Sequence, residues 1–209
     1  MSLRALCVTA TMNLSLLSYA AAQEPVIVEL DTSEGKVVLE LDAEKAPKTV
    51  ANFISYVKKG HYASTLFHRV IPDFMIQGGG FEMKAGGSGA LLTEKPTDDP
   101  VQNEAGNGLK NVKYSVAMAR TPDPHSATSQ FFINTADNHR LNREQFPDGF
   151  GYTVFGRVVE GTDVVDKIGE VATKRSVPAR LPDSRMMLMD DVPVKEIVIK
   201  SVKVTGGTK

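Results

Sequence analysis

The chain has 209 residues, a formal net charge of −1 and 42% hydrophobic residues, which fits one domain with a sizeable core and excludes a disordered polymer. The balanced charge lacks the basic surplus that a nucleic-acid surface requires. A single cysteine, Cys7, excludes a disulfide framework and a cysteine-rich metal site.

Residues 1–22 read as a cleavable targeting segment. Arg4 supplies a short positive start, Ala5–Leu17 is a mostly apolar run, and Ala20-Ala21-Ala22 offers small residues for cleavage. The run is short for a bilayer span. Thr9, Thr11, Asn13 and Ser15 make it more polar than a strong signal core, and the alternative is an N-terminal helix belonging to the domain. Cleavage after Ala22 would remove Cys7 and leave a mature domain of residues 23–209 with no membrane attachment.

Val26–Leu30 and Lys36–Leu41 alternate apolar and polar residues about Thr32-Ser33-Glu34-Gly35, a strand–turn–strand pattern. Ala46–Lys59 has helical spacing, with Val50, Phe53, Ile54 and Val57 on one side, Pro47 in the first turn and Gly60 at the end. Short strands are predicted at Thr65–Ile71, Phe74–Gln77, Tyr114–Ala119, Gln130–Asn134 and Thr153–Val159. A second helix is predicted at Gly161–Ile168 and a last strand at Val194–Val204. Many short strands with only two helices suggest a barrel or sandwich. Gly78–Gly108 and Thr173–Asp191 read as loops. The second holds Met186, Met187 and Met189, which suit an exposed partner patch or, more often for methionine, the filling of an irregular gap.

His61, His68, His125 and His139 show no paired i, i+4 spacing, so a metal site would need them to converge through folding alone. No Gly-x-Ser-x-Gly elbow occurs, and Gly78-Gly79-Gly80 lacks the Lys-Ser or Lys-Thr of a phosphate cradle. Two segments remain. In Phe67–Gly80 an extended Phe74–Gln77 turns Met75 and Gln77 one way and Ile76 the other. In Ser129–Asn134, Gln130, Phe132 and Asn134 share a face while Phe131 and Ile133 point to a core. Periodicity leaves two readings open here: a functional groove, or ordinary amphipathic strands with Arg69 in a surface ion pair.

These segments resemble the signature regions of the cyclophilins: Phe-His-Arg-Val-Ile-Pro at 67–72, Phe74-Met75 and Gln77-Gly78-Gly79, Ser-Gln-Phe-Phe-Ile at 129–133, and Val-Phe-Gly at 154–156. The similarity runs from about Val26 to Val204. Asn107-Gly108-Leu109, Ala117-Met118-Ala119-Arg120 and Phe150-Gly151-Tyr152 look most like periplasmic cyclophilins of Gram-negative bacteria. The resemblance implies a mainly β fold, a closed eight-stranded antiparallel β-barrel capped by two α-helices. It also implies a peptidyl-prolyl cis–trans isomerase that assists the folding of exported proteins.

By the same resemblance Arg69 matches the catalytic arginine, and Gln77 the side chain that orients it and holds the substrate carbonyl. Phe74, Met75 and Phe132 match the wall of a proline pocket, with Leu141 and Tyr152 completing its rim. Ala119 and Gln130 match groove residues beside the residue preceding proline. Arg120 stands where many relatives have asparagine, at a position used through its backbone. His68 is expected to be a structural neighbour. No cofactor or metal is implied, the partners are proline-containing segments of unfolded or exported proteins, and the chain is expected to be a monomer. Arg140 falls where animal cyclophilins carry a tryptophan that helps bind cyclosporin, so weak binding of that drug is expected. A holdase that captures such segments without catalysis, and a metal hydrolase, are the competing expectations.

Overall fold

A computed structural model describes residues 25–86 and 89–207; the targeting segment expected at 1–22, with Cys7, lies outside the described residues. In chain order the elements are β1 (Val26–Thr32), β2 (Lys36–Leu41), α1 (Pro47–Lys58), β3 (Thr65–Ile71), β4 (Met75–Gly86), β5 (Gly89–Glu94), β6 (Ser115–Met118) and β7 (Phe131–Asn134). There follow a 3-10 turn (His139–Leu141), β8 (Val154–Glu160), α2 (Thr162–Gly169), β9 (Thr173–Lys174), β10 (Val177–Arg180), β11 (Met186–Met189), β12 (Val192–Pro193) and β13 (Val198–Gly206).

Eight of these strands close on themselves. The order β4–β3–β13–β1–β2–β8–β6–β7 returns to β4 through the β4–β7 pairing. Every pairing round this ring is antiparallel. The expected eight-stranded barrel with two helices is therefore the observed fold. Its interior is filled by one side of each strand. Val28, Leu30, Val37, Leu39, Val70 and Ile76 are fully buried there with Phe53 of α1 and Val165 of α2. That packed interior leaves no lumen for a ligand, so any groove must lie on the outer surface.

Local chemistry explains the element ends. In the β1–β2 turn Thr32 Oγ1 accepts hydrogen bonds from the N–H groups of Glu34 and Gly35, both at 3.1 Å. Such hydroxyl-to-backbone bonds favour a turn over a continued strand. Helix α1 begins with Pro47, whose missing N–H costs nothing in the first turn. Ala46 offers no side-chain cap; instead Glu104 accepts from the N–H groups of Lys48 and Thr49 at 3.2 and 2.8 Å. A carboxylate there also meets the positive end of the helix.

Two sequence expectations need correction. Gly78–Gly108 is not a loop throughout, because β4 runs on to Gly86 and pairs with β5. Thr173–Asp191 contains β9, β10 and β11, with β10 parallel to β5 and antiparallel to β11. These strands form an annex outside the ring, packed on it through a second cluster of Leu66, Phe81, Leu92, Ala179, Met189 and Val192. The methionines divide between both readings: Met189 fills that cluster, whereas Met186, Met187 and Leu188 are exposed.

Candidate active site

Alternation along β3 would put Arg69 on the same side as Phe67, inside the barrel. It does not, because the strand is bulged. Phe67 pairs with Gly78 and Arg69 with Gln77, so two steps on β3 match one step on β4. The extra residue, His68, reverses the phase. Phe67 and Val70 thus both enter the core, while Arg69 stands outside beside Gln77.

From there a row of cross-strand neighbours runs over the outer surface: Arg69 opposite Gln77, Gln77 opposite Phe132, Phe132 opposite Ala117, Ala117 opposite Val154. The adjacent row, Val70, Ile76, Ile133 and Val116, points inward and is fully buried. The predicted division of faces on β4 and β7 therefore holds. Met75, Ala117, Phe132 and Val154 form an apolar floor, with Phe74, Ala119, Leu141 and Tyr152 packed around it.

Over that floor lies a groove of about 120 Å³, lined by Arg69, Phe74, Met75, Gln77, Ala119, Arg120, Phe132, Leu141 and Tyr152. Nine of the ten site residues named from the sequence thus meet in one concavity. Gln130, the tenth, sits just behind it: Gln77 Nε2 donates to Gln130 Oε1 at 2.9 Å, and Gln130 Nε2 donates to Glu94 Oε1 at 2.9 Å. This chain fixes which end of the Gln77 amide is turned back, leaving its carbonyl oxygen to accept. Burial raises the Glu94 carboxyl above its ordinary value, against the lowering effect of the Gln130 donor.

Each wall has its own support. Phe74 follows Asp73, which takes a left-handed conformation (φ 55°) that aspartate tolerates. Its carbonyl accepts from Thr135 N at 3.0 Å and Asn138 Nδ2 at 2.6 Å. Ala119 N donates to Gln130 O, and Tyr152 N to Leu141 O, at 3.0 and 2.9 Å. Tyr152 meets Phe132 edge-on at a centroid distance of 5.7 Å.

Arg120 does more than lend its backbone. Its side chain is 3% exposed and pairs with Asp148. Nε donates to Gly151 O at 3.0 Å, Nη1 donates to Thr121 O at 3.0 Å, and the guanidinium lies 4.7 Å from the Tyr152 ring centre and 5.2 Å from that of Phe146. The arginine staples the segment carrying Tyr152 against the groove. Arg140 is exposed and lines a neighbouring hollow of about 360 Å³ that shares Phe74 and Leu141 with the groove.

His68 is 1% exposed and packs on Phe81 at 4.7 Å between ring centres. Burial pushes its imidazole down to about 4, outweighing the Leu66 carbonyl, and the Arg69 charge acts in the same direction as burial. It is neutral at physiological pH, packed behind the groove within reach of Gln130. Two carboxylates escaped the sequence reading: Glu94 behind Gln130, and Asp191, whose Oδ2 lies 3.8 Å from Arg69 Nε. Both come from annex segments, and neither spacing nor periodicity marks them.

A family model described as "Cyclophilin type peptidyl-prolyl cis-trans isomerase/CLD" matches residues 27–204. A peptidyl-prolyl cis–trans isomerase of Streptomyces antibioticus is 54% identical over 86% of this chain and 98% of its own length. Isomerase A of Dickeya dadantii is 46% identical over 98% of both chains, and isomerase B of Escherichia coli 47% identical over 86% of this chain and 99% of its own. A crystal structure of a cyclophilin-type isomerase from Cryptosporidium parvum, determined in the presence of the dipeptide Ala-Pro, superposes with a TM-score of 0.64. It is 23% identical and covers 86% of this chain and 99% of its own, a likeness of fold.

Proposed function

The chain belongs to the cyclophilin-type peptidyl-prolyl cis–trans isomerases, and we propose that it speeds rotation about X–Pro bonds in exported proteins by stabilising the twisted amide without covalent chemistry. The observation that carries this reading is the lateral pairing of Arg69, Gln77 and Phe132 above an apolar floor. A cation, an amide and a ring-sized apolar surface there share one groove.

A planar amide resists rotation because the nitrogen lone pair is delocalised into the carbonyl, with a barrier of roughly 18–20 kcal/mol. Prolyl bonds populate both isomers yet exchange only over tens to hundreds of seconds. As the amide twists, the lone pair returns to nitrogen, and Arg69 can donate to it. That contact strengthens toward the transition state and is absent from the planar ground state, which is the requirement for catalysis. Met75, Phe132 and Phe74 would fix the pyrrolidine ring. The Gln77 carbonyl oxygen, held by the Gln77–Gln130–Glu94 chain, can accept a hydrogen bond from the Arg69 side or from a substrate N–H. The backbone at Ala119 and Arg120 would hold the residue before proline. His68 transfers no proton, and the mechanism requires none.

A charged hydrogen bond contributes about 1.5–3 kcal/mol and more in a preorganised site, so Arg69 accounts for roughly one to three powers of ten in rate. Arg69→Ala should lower kcat/KM on a prolyl peptide by that factor while the circular dichroism spectrum is unchanged. Equal rates for the two proteins would sink the reading. With cyclosporin added, the same assay should show no nanomolar inhibition, because a guanidinium at Arg140 offers the drug neither a flat apolar surface nor an indole. Export to the periplasm is supported by the composition of residues 1–22; a mature mass beginning near residue 23, recovered from a periplasmic fraction, is the corresponding observation. Capture of extended apolar segments alongside catalysis is a second reading. The exposed Met186, Met187 and Leu188 on edge strand β11 favour it, and suppression of client aggregation by the Arg69→Ala protein separates it from catalysis.

A further inference from the structure

We propose that Asp191 is a positioning residue for Arg69, holding the guanidinium by its Nε side so that the remaining donors serve the groove; this rests on the isomerase reading of that groove. The two groups are 3.8 Å apart, with the Arg69 and Asp191 side chains 40% and 30% exposed. At that distance the contact is an ion pair and not a hydrogen bond.

The position of Asp191 is built by its surroundings. Val70 N donates to Asp191 O at 2.8 Å, so the main chain of Asp191 docks on β3 one residue from Arg69. Asp191 itself holds a left-handed conformation, φ 60°, which aspartate tolerates as Asp73 does. Its neighbours are anchored: Met189 before it and Val192 after it are both buried in the annex cluster. The annex thus delivers a carboxylate to the catalytic side of β3 from a main chain fixed at both ends.

An arginine side chain loses rotamer freedom when it engages a transition state. A carboxylate at Nε confines it beforehand, so less ordering remains to be done as the amide twists. The same carboxylate also partly offsets the charge of the donor. Distance and exposure decide between these effects: water and salt screen the charge at a half-exposed pair, while the orientational bias persists. The benefit belongs to the transition state, so it enters kcat more than KM.

Steady-state kinetics on a prolyl peptide with the purified protein test this. Asp191→Asn should lower kcat about three- to fivefold, the scale of an exposed ion pair, with KM changed by less than about twofold, and Asp191→Glu should recover part of the loss. In an Arg69→Ala background, Asp191→Asn should have no further effect. A role confined to annex docking would lower both backgrounds alike and overturn the proposal, as would an unchanged or higher kcat in Asp191→Asn. The ¹⁵N resonance of Arg69 Nε–H supplies a readout independent of turnover: it should move on Asp191→Asn, and a resonance that stays in place counts against the pairing. Loss of activity in Arg69→Ala with none in Asp191→Asn removes this proposal alone. An Arg69→Ala protein as active as the parent removes the isomerase reading, and this proposal with it.

Discussion

Between Phe67 and Arg69 the partner strand advances from Gly78 only to Gln77, and the residue left over, His68, is driven into the space against Phe81. Placing the arginine outside therefore requires an imidazole to be buried beside it. The consequence appears in stability. His68 is held neutral to about pH 4 in the folded chain but takes a proton near 6.5 when unfolded. Below 6.5 the unfolded state binds the extra proton, so stability is complete above that pH and declines as pH falls toward 4. Between pH 7 and 5 the loss should be about 2 kcal/mol, and urea unfolding of His68→Asn should show a shallower decline over that interval. An identical decline in both proteins would place its origin elsewhere. The Phe-His-Arg order is visible in the sequence, but the bulge is not. Alternation read strictly from Phe67 sends Arg69 inward, and only the register with β4 shows the reversal.

At the scale of elements, a ring strand such as β1 was legible because it has a dry side and a wetter side, and the period of two follows from that, whereas β6 and β7 are buried on both faces. Val28, Leu30, Val37 and Leu39 are fully buried on schedule. The annex strands carry no such signal. β5 begins at a glycine, β10 has four residues including Pro178, and β11 exposes three apolar side chains in succession. Exposed methionines on an edge look the same in sequence as a loop. The segment from Asn142 to Tyr152 has no regular structure; turn hydrogen bonds and the Asp148 carboxylate hold it from within, and the Arg120 guanidinium ties it to the groove. Removing that guanidinium in Arg120→Ala deletes the pair with Asp148, the bond to Gly151 O and the stacking on Tyr152, while leaving the backbone of position 120 in place. The expected result is a fall in kcat/KM of about tenfold carried mainly by KM, since a groove wall is lost and Arg69 is not. Arg120→Lys should not restore it, because an ammonium has no planar fork to span three acceptors. An unchanged KM in Arg120→Ala would show that the segment keeps its shape without the staple.

For the molecule as a whole, the packed barrel holds the apolar floor, and the annex reaches the Arg69–Gln77 pair from outside through Glu94 and Asp191. Strand β4 belongs to both. Along one edge it pairs with β7 over Met75–Gly78 and then with β5 over Phe81–Gly86. The change of partner occurs at the triple glycine. There Gly79 has φ 86°, and a Cβ on Gly80 would lie 2.4 Å from the Gln130 side chain. Barrel closure is finished before β4 reaches the annex, so residues added or removed in the β4–β5 hairpin leave the circumference of the ring untouched. A lineage could lengthen or trim that hairpin and, through the residues beside Glu94, retune the reach of Gln130 while the groove keeps its floor.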